Sequence, residues 1–378
     1  MKRTLAEFGG REGLLPAERK LLDEVHTGLT VRVSPGVPPE TPPDSVKIRA
    51  SFLRYLALGG CEACHPSPKG VRVQGAYVEG DETDPTAETK GLDLEGATLE
   101  GDLGLIACFL PDLVLLRGAS LPSLNLQESR LLAGLNAQRL TTTGSVILSD
   151  ATVEGEVRLL GAKLGGSFEA FGVSINGAMR EEVEDGQDGQ RARKALVLQS
   201  VTASGGFFLR RVRRINGWLD LRNASFGYLA DEAESWPAPG RILINGFTYK
   251  YILAGPVDAK RRLAWLALQD PSRFGQEFWP QPYEQLAKVF RAMGHGDDAR
   301  AVLIEKERLQ RADRRTRVRR EAPFAVPRLD WFWDGFVGAT VAYGHSPLRA
   351  GWYLAGLWLL GLMIFTAALD ADALKPND

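Results

Sequence analysis

GLDLEGATLEG, residues 91–101, set beside GVRVQGAYVEG, residues 70–80, decides how this chain is to be read. Both follow the phrase apolar-x-apolar-x-Gly-Ala-x-apolar-x-Gly. It returns as EVRLLGAKLG at 156–165 and, with the Gly-Ala pair degenerate, as LDLRNASFG at 219–227. Apolar residues two apart mark short strands with one buried face. The glycine between them permits the tight or left-handed backbone of a corner. The last apolar position falls at Leu99, Leu110, Leu121 and Leu132, eleven residues apart. After a ten-residue slip from Thr143 to Val153 the series resumes at Val153, Leu164 and Ile175.

Two elevens make a coil of about 22 residues, and a coil buries its apolar row only by stacking on its neighbours. The expected fold is mainly β: a right-handed parallel β-solenoid with helical N- and C-terminal caps and one C-terminal transmembrane helix. An antiparallel sandwich with a strand every 8–12 residues is the alternative, but it has no reason to hold a fixed grid.

Composition agrees with a folded body. Hydrophobic residues make up 44% of the 378 and charged residues 25%, which excludes wholesale disorder. Lys+Arg 46 against Asp+Glu 47 excludes a globally basic nucleic-acid binder. Three cysteines exclude a disulfide framework. The 41 glycines are assigned to repeat corners, not to linkers or phosphate loops.

Around the repeats, residues 1–60 read as N-terminal helices. One runs from Pro16 to Thr27; a proline-rich linker occupies 35–43. A second helix, capped by Asp44 or Ser45, puts Ile48, Phe52, Tyr55 and Leu56 on one face before Gly59 and Gly60 stop it. The solenoid spans 70–254 with a polar insertion at 178–194. Residues 256–322 form a helical cap in which Tyr283, Leu286, Ala287, Phe290, Gly294 and Ala299 stand at the spacing of one tetratricopeptide-type hairpin, with Asp297 capping its second helix. That helix turns basic, with seven arginines from Arg308 to Arg320. An interfacial helix is expected over 327–343, carrying Trp331, Phe332, Trp333 and Phe336.

Residues 350–369 hold no charge, and twenty apolar residues match the hydrocarbon thickness of a bilayer as a helix. Arg349, Trp352, Tyr353 and Trp358 are the expected anchoring residues. Arginines flank the N-terminal side of this run, and a short acidic tail, 370–378, follows it. No export signal opens the chain: Met1-Lys2-Arg3 leads straight to Glu7, Arg11 and Glu12. The positive-inside rule then places the N-terminal body in the cytoplasm, single-pass, at a bacterial inner membrane.

FLRYLALGG (52–60), GVRVQGA (70–76), PYEQLA (282–287) and YGHSP (343–347) together resemble a bacterial family of β-helix-repeat proteins with a C-terminal membrane anchor. Its members often bear the label "membrane-associated oxidoreductase". More distantly the chain resembles pentapeptide-repeat and bactofilin-type solenoids. The resemblance implies architecture and tethering; its motifs bring no active-site residue with them. It also implies a second hydrophobic span, and the sequence up to Asp378 holds only one, as in a truncated form or a single-span variant.

Cys61, Cys64 and His65 match the c-type haem attachment pattern, though no export signal takes them where such haem is attached. They also read as three metal ligands or a redox thiol pair, or as a surface loop without chemistry. Nucleophile elbows, Walker loops and dinucleotide fingerprints are absent from the sequence. Asp93, Glu95, Asp150 and Glu156 are expected to face outward as solubilising carboxylates. The function expected is therefore a non-enzymatic, membrane-tethered scaffold or binding protein facing the cytoplasm. Its expected partners are the lipid bilayer and a protein, with no specific nucleic acid and no cofactor. A redox or metal protein using Cys61, Cys64 and His65 is one alternative, and a bactofilin-like assembly protein is the other.

Overall fold

The computed structural model describes residues 4–60, 66–81, 89–179, 193–276, 278–321 and 347–370. The chain divides into two compact units, Met1–Gln285 and Leu286–Asp378. The first is mainly β, and the second is helical wherever it is described.

Parallel pairing dominates the first unit. Its described strands form three sheets of 13, 7 and 7 strands. Their pairings are parallel except where Ala178–Met179 meets Arg193–Val197. Register explains the grid. Arg130 pairs with Phe109 on one side and Thr152 on the other. Val146 pairs with Leu124 and Phe168, and Leu135 with Val114 and Val157. Each partner lies 21 or 22 residues away, the expected coil length.

The slip in the grid lies elsewhere than expected. Leu131, not Leu132, pairs with Leu110 and Val153, and Leu131 is fully buried. Thr142, not Thr143, stacks between Leu121 and Leu164. The short step is the corner at Pro122-Ser123, which carries the chain from Leu121 to Leu124 in three residues. The corner between the strands paired with these, from Thr142 to Val146, takes four. The insertion shows as a jump in register, Val157 pairing with Leu196. Its stems pair antiparallel, and 180–192 lie outside the described residues.

Two corner columns run left-handed. One holds Gly96, Gly118, Arg139, Gly161, Ser200, Asn223 and Gly246, with φ between 55° and 79°. The other holds Ala107, Glu128, Asp150, Gly172 and Arg211, with φ from 48° to 60°. Glycine is the low-cost choice there, and every other residue costs about 1 kcal/mol. The corner itself demands the conformation, whatever side chain occupies it. Inward positions stack into apolar columns such as Leu103, Leu124, Val146, Phe168, Phe207, Leu229 and Ile252, all buried. Each fully buried leucine or phenylalanine contributes roughly 1.5–3 kcal/mol.

The N-terminal segment departs from expectation. Helix α1 covers Pro16–Glu24 and α2 covers Ala50–Ala57, but between them Val31–Arg32 and Lys47–Arg49 are strands. They pair in parallel with Gly70–Gln74 and Tyr77–Glu79. Ile48 thus sits on a strand against Val78, because a neighbouring edge offers ladder hydrogen bonds that a lone first turn cannot match. Asp44 belongs to a 3-10 turn, Asp44–Val46, instead of capping a helix. Buried Glu18 of α1 accepts from the backbone and guanidinium of Arg49, so this segment is fastened to the sheet.

At the other end, strand Thr248–Ala254 pairs with Ser225–Asp231. Helix α3, Ala259–Leu266, follows, its start capped by Asp258 Oδ1 accepting from Arg261 N. Fully buried Arg262 donates to both carboxylate oxygens of Asp231 at 2.7 and 2.8 Å and to Pro256 O at 2.8 Å. Helix α4, Gln281–Ala292, lays two glutamines on the start of the last strand and the corner before it. Gln281 accepts from Gly246 N and donates to Phe247 O, and Gln285 donates to Tyr249 O.

In the second unit, α5 covers Gly296–Glu321. The hairpin residues Leu286, Ala287, Phe290 and Ala299 are fully buried, and Gly294 turns the chain at φ 86°. Asp297 sits within the first turn of α5, paired with Arg300, and not at its cap. Helix α6 covers Pro347–Asp370. Among the described residues no helix is long and apolar enough to cross a membrane. The side chains described on α6 run from 354 to 369, about 24 Å at the helical rise, against a hydrocarbon core of about 30 Å. The expected interfacial helix, 327–343, and residues 371–378 of the tail lie outside the described residues.

Candidate functional site

Cys61, Cys64 and His65 lie outside the described residues. Among those described, no group of three or more His, Cys, Asp or Glu could hold a metal ion. Cys108 is inert: burial pushes its thiol up to about 12, and its Sγ lies against the carbonyls of Ile106 and Val73. So protonated, it is neither nucleophile nor ligand at neutral pH.

The four carboxylates stand apart, each beside its own arginine. Asp93 pairs with Arg54 at 3.4 Å, and Glu95 with Arg117 at 2.6 Å. The Arg117 guanidinium holds the Glu95 carboxyl below its ordinary range. Asp150 pairs with Arg213 and Glu156 with Arg158. Glu156 is buried instead of facing solvent.

A feature without a sequence forecast crosses the outer face of the largest sheet. Phe171 packs on Phe208 with centroids 5.2 Å apart, Phe208 meets Tyr228 edge-on at 5.5 Å, and Tyr228 stacks on Tyr251 at 5.4 Å. Gly206 makes this arrangement workable: a Cβ there would run into the Tyr228 ring. The hydroxyl of Tyr228 reaches 3.5 Å from Ser167 Oγ. Arg211 lies over the Phe171 ring, and Tyr251 and Leu253 remain 40% and 53% exposed. Burial raises the Glu169 carboxyl, which stands in register with Phe208. Aromatic and arginine side chains are the groups that protein interfaces enrich, so the face suits docking better than acid–base chemistry.

The second candidate is α6. Arg349, Trp352 and Tyr353 fall on its backbone helix, though their side chains are outside the described set. Trp358 is 69% exposed, and Leu354, Leu357, Leu359, Leu360, Leu362, Met363, Ile364, Phe365 and Leu369 are exposed with it. At 100° per residue these positions cover every side of the helix. No family model, curated protein or solved structure matches the chain.

Proposed function

We propose that this chain is a non-enzymatic scaffold or binding protein tethered to a membrane, its working part a right-handed parallel β-solenoid. The observation that carries the reading is α6, apolar and exposed on every side. A helix that is hydrophobic all round is at home only inside a protein core or a bilayer. Its helical backbone continues through 350–353, which brings the uncharged run to twenty residues and about 30 Å. Arg349 at its start and Asp370 at its end favour a body on the cytoplasmic side of a bacterial inner membrane. The parallel register of 21 or 22 residues supports the solenoid, and the aromatic face from Phe171 to Tyr251 supplies a contact surface for a protein partner. The resemblance to anchored β-helix-repeat proteins agrees with both.

Open-ended assembly, as in bactofilin-type solenoids, is the weaker reading. Gln285 occupies Tyr249 O of the last strand and Gln281 the backbone of Gly246 and Phe247 just before it, groups that a second copy docking there would need.

Carbonate extraction tests the tether. Full-length protein should stay with the membrane pellet, and a chain lacking residues 346–378 should move to the supernatant. Release of the full-length chain by carbonate overturns the reading.

A further inference from the structure

The unit that carries α6 also carries the strongest local charge of the chain. From Arg308 to Glu321 the sequence holds seven arginines, no lysine, and two acids, Asp313 and Glu321. The formal net charge of the segment is therefore +5. Glu305 holds Arg308, and Asp313 holds Arg317 at 3.5 Å. Arg314, Arg317 and Arg320 are exposed and recur every three residues along the C-terminal half of α5, so they share one side of the helix. Among the described side chains of α5, the buried apolar ones, Ala299, Val302 and Leu303, lie in its first half. The second half is a basic rod.

We propose that the Arg314–Arg317–Arg320 side of α5 lies on the phosphates of an anionic bilayer surface. Guanidinium is the suited group: its planar fork bonds a phosphate through two donors, and it keeps its charge at every physiological pH. Lysine, the commoner point charge, is missing from the segment. Nucleic acid offers the same phosphate, but α6 in the same unit is a helix with no aqueous face, and a bilayer satisfies both elements at once. The proposal rests on the reading that α6 enters a bilayer, and it adds a headgroup charge requirement that the reading lacks.

Flotation and trypsin protection separate the two. Full-length protein is bound to vesicles of phosphatidylcholine alone, and to vesicles that also contain phosphatidylglycerol. Flotation with both reports α6. Cleavage within 308–320 should then be slower on the anionic vesicles by roughly tenfold or more, since each arginine near such a surface contributes on the order of a fivefold preference. High salt should abolish the difference. An Arg314→Gln, Arg317→Gln, Arg320→Gln variant should still float but cleave its remaining arginines at equal rates on both vesicles. Equal protection of the wild-type chain on both vesicle types overturns the proposal and leaves the tether standing. Failure to float on either overturns both. Protection of the wild-type arginines by added duplex RNA on neutral vesicles, with none on anionic vesicles alone, assigns them to nucleic acid and overturns the lipid proposal.

Discussion

Replacing Arg262 by methionine takes away the cation paired with Asp231 beneath the last strands. The arginine is fully buried and Asp231 nearly so. Between them run two charge-assisted hydrogen bonds of 2.7 and 2.8 Å, with a third from Nε to Pro256 O. The guanidinium also lies over Trp236 and Trp265 at 5.8 and 5.4 Å. Methionine keeps most of the apolar volume, so the loss comes chiefly from a carboxylate left buried, with Trp236 Nε1 the side-chain donor that remains among the described residues. Breaking such a pair from one side costs about 3–5 kcal/mol. For a unit spanning Met1–Gln285 that lowers Tm by about 5–8 °C.

The assay is urea and thermal unfolding followed by circular dichroism, comparing wild type with Arg262→Met and with Asp231→Leu plus Arg262→Met. The double variant removes the stranded charge, so it should regain at least half of the single variant's loss. A loss below about 1 kcal/mol in Arg262→Met would falsify the claim that the pair is closed to water. A double variant no better than the single one would show that the arginine acts through its packing between two tryptophans and not as a counter-charge.

Tyr249 gives the opposite sign. Its hydroxyl is buried with no hydrogen-bond partner among the described residues, and burial raises its ionisation well above the ordinary range; Tyr249→Phe should therefore gain about 1 kcal/mol in urea unfolding. Cys108 predicts an alkaline limit. Its folded value near 12 exceeds the unfolded 9.0, so its contribution of about 4 kcal/mol is intact below pH 9 and is lost as pH rises toward 12. Unfolding measured across that window should show the decline, and Cys108→Ala should flatten it. The same thiol should resist iodoacetamide in the native protein and react once unfolded. Gln281→Ala with Gln285→Ala should free Tyr249 O and the Gly246–Phe247 backbone before the last strand and raise self-association in sedimentation velocity; an unchanged sedimentation profile would show that the glutamines do not guard that end.

Coil length was legible because it is written twice, in the alternation of apolar residues and in the recurring Gly-Ala corner. Facing direction was less so. Leu131 and Leu132 are adjacent and equally apolar, and an eleven-residue grid accepts either; pairing with Leu110 and Val153 decides for Leu131. That single exchange moves the short corner to Pro122-Ser123. Ile48 misled for a related reason. Its spacing to Phe52 and Tyr55 fits a helix face, but the free edge of Tyr77–Glu79 claims residues 47–49 first. Local periodicity cannot register an edge that lies thirty residues away in sequence.

The aromatic face was hidden for a deeper reason. Stacking constrains the inward columns, so these repeat and can be read, whereas the outward positions are under no such constraint. Phe171, Phe208, Tyr228 and Tyr251 come together although Tyr228 pairs with Gly206, not with Phe208. Their contact depends on a missing side chain, which no apolar pattern records. The same logic says where function is to be sought in this chain. Its inward columns are spent on cohesion, its corner columns on geometry, and Asp93, Glu95, Asp150 and Glu156 on an arginine each. Among the described residues, those turned to solvent in a pattern that cohesion does not demand are the outer aromatic face, the basic half of α5 and the apolar surface of α6. Each presents a surface for contact, the kind of use that enriched aromatic and arginine side chains favour.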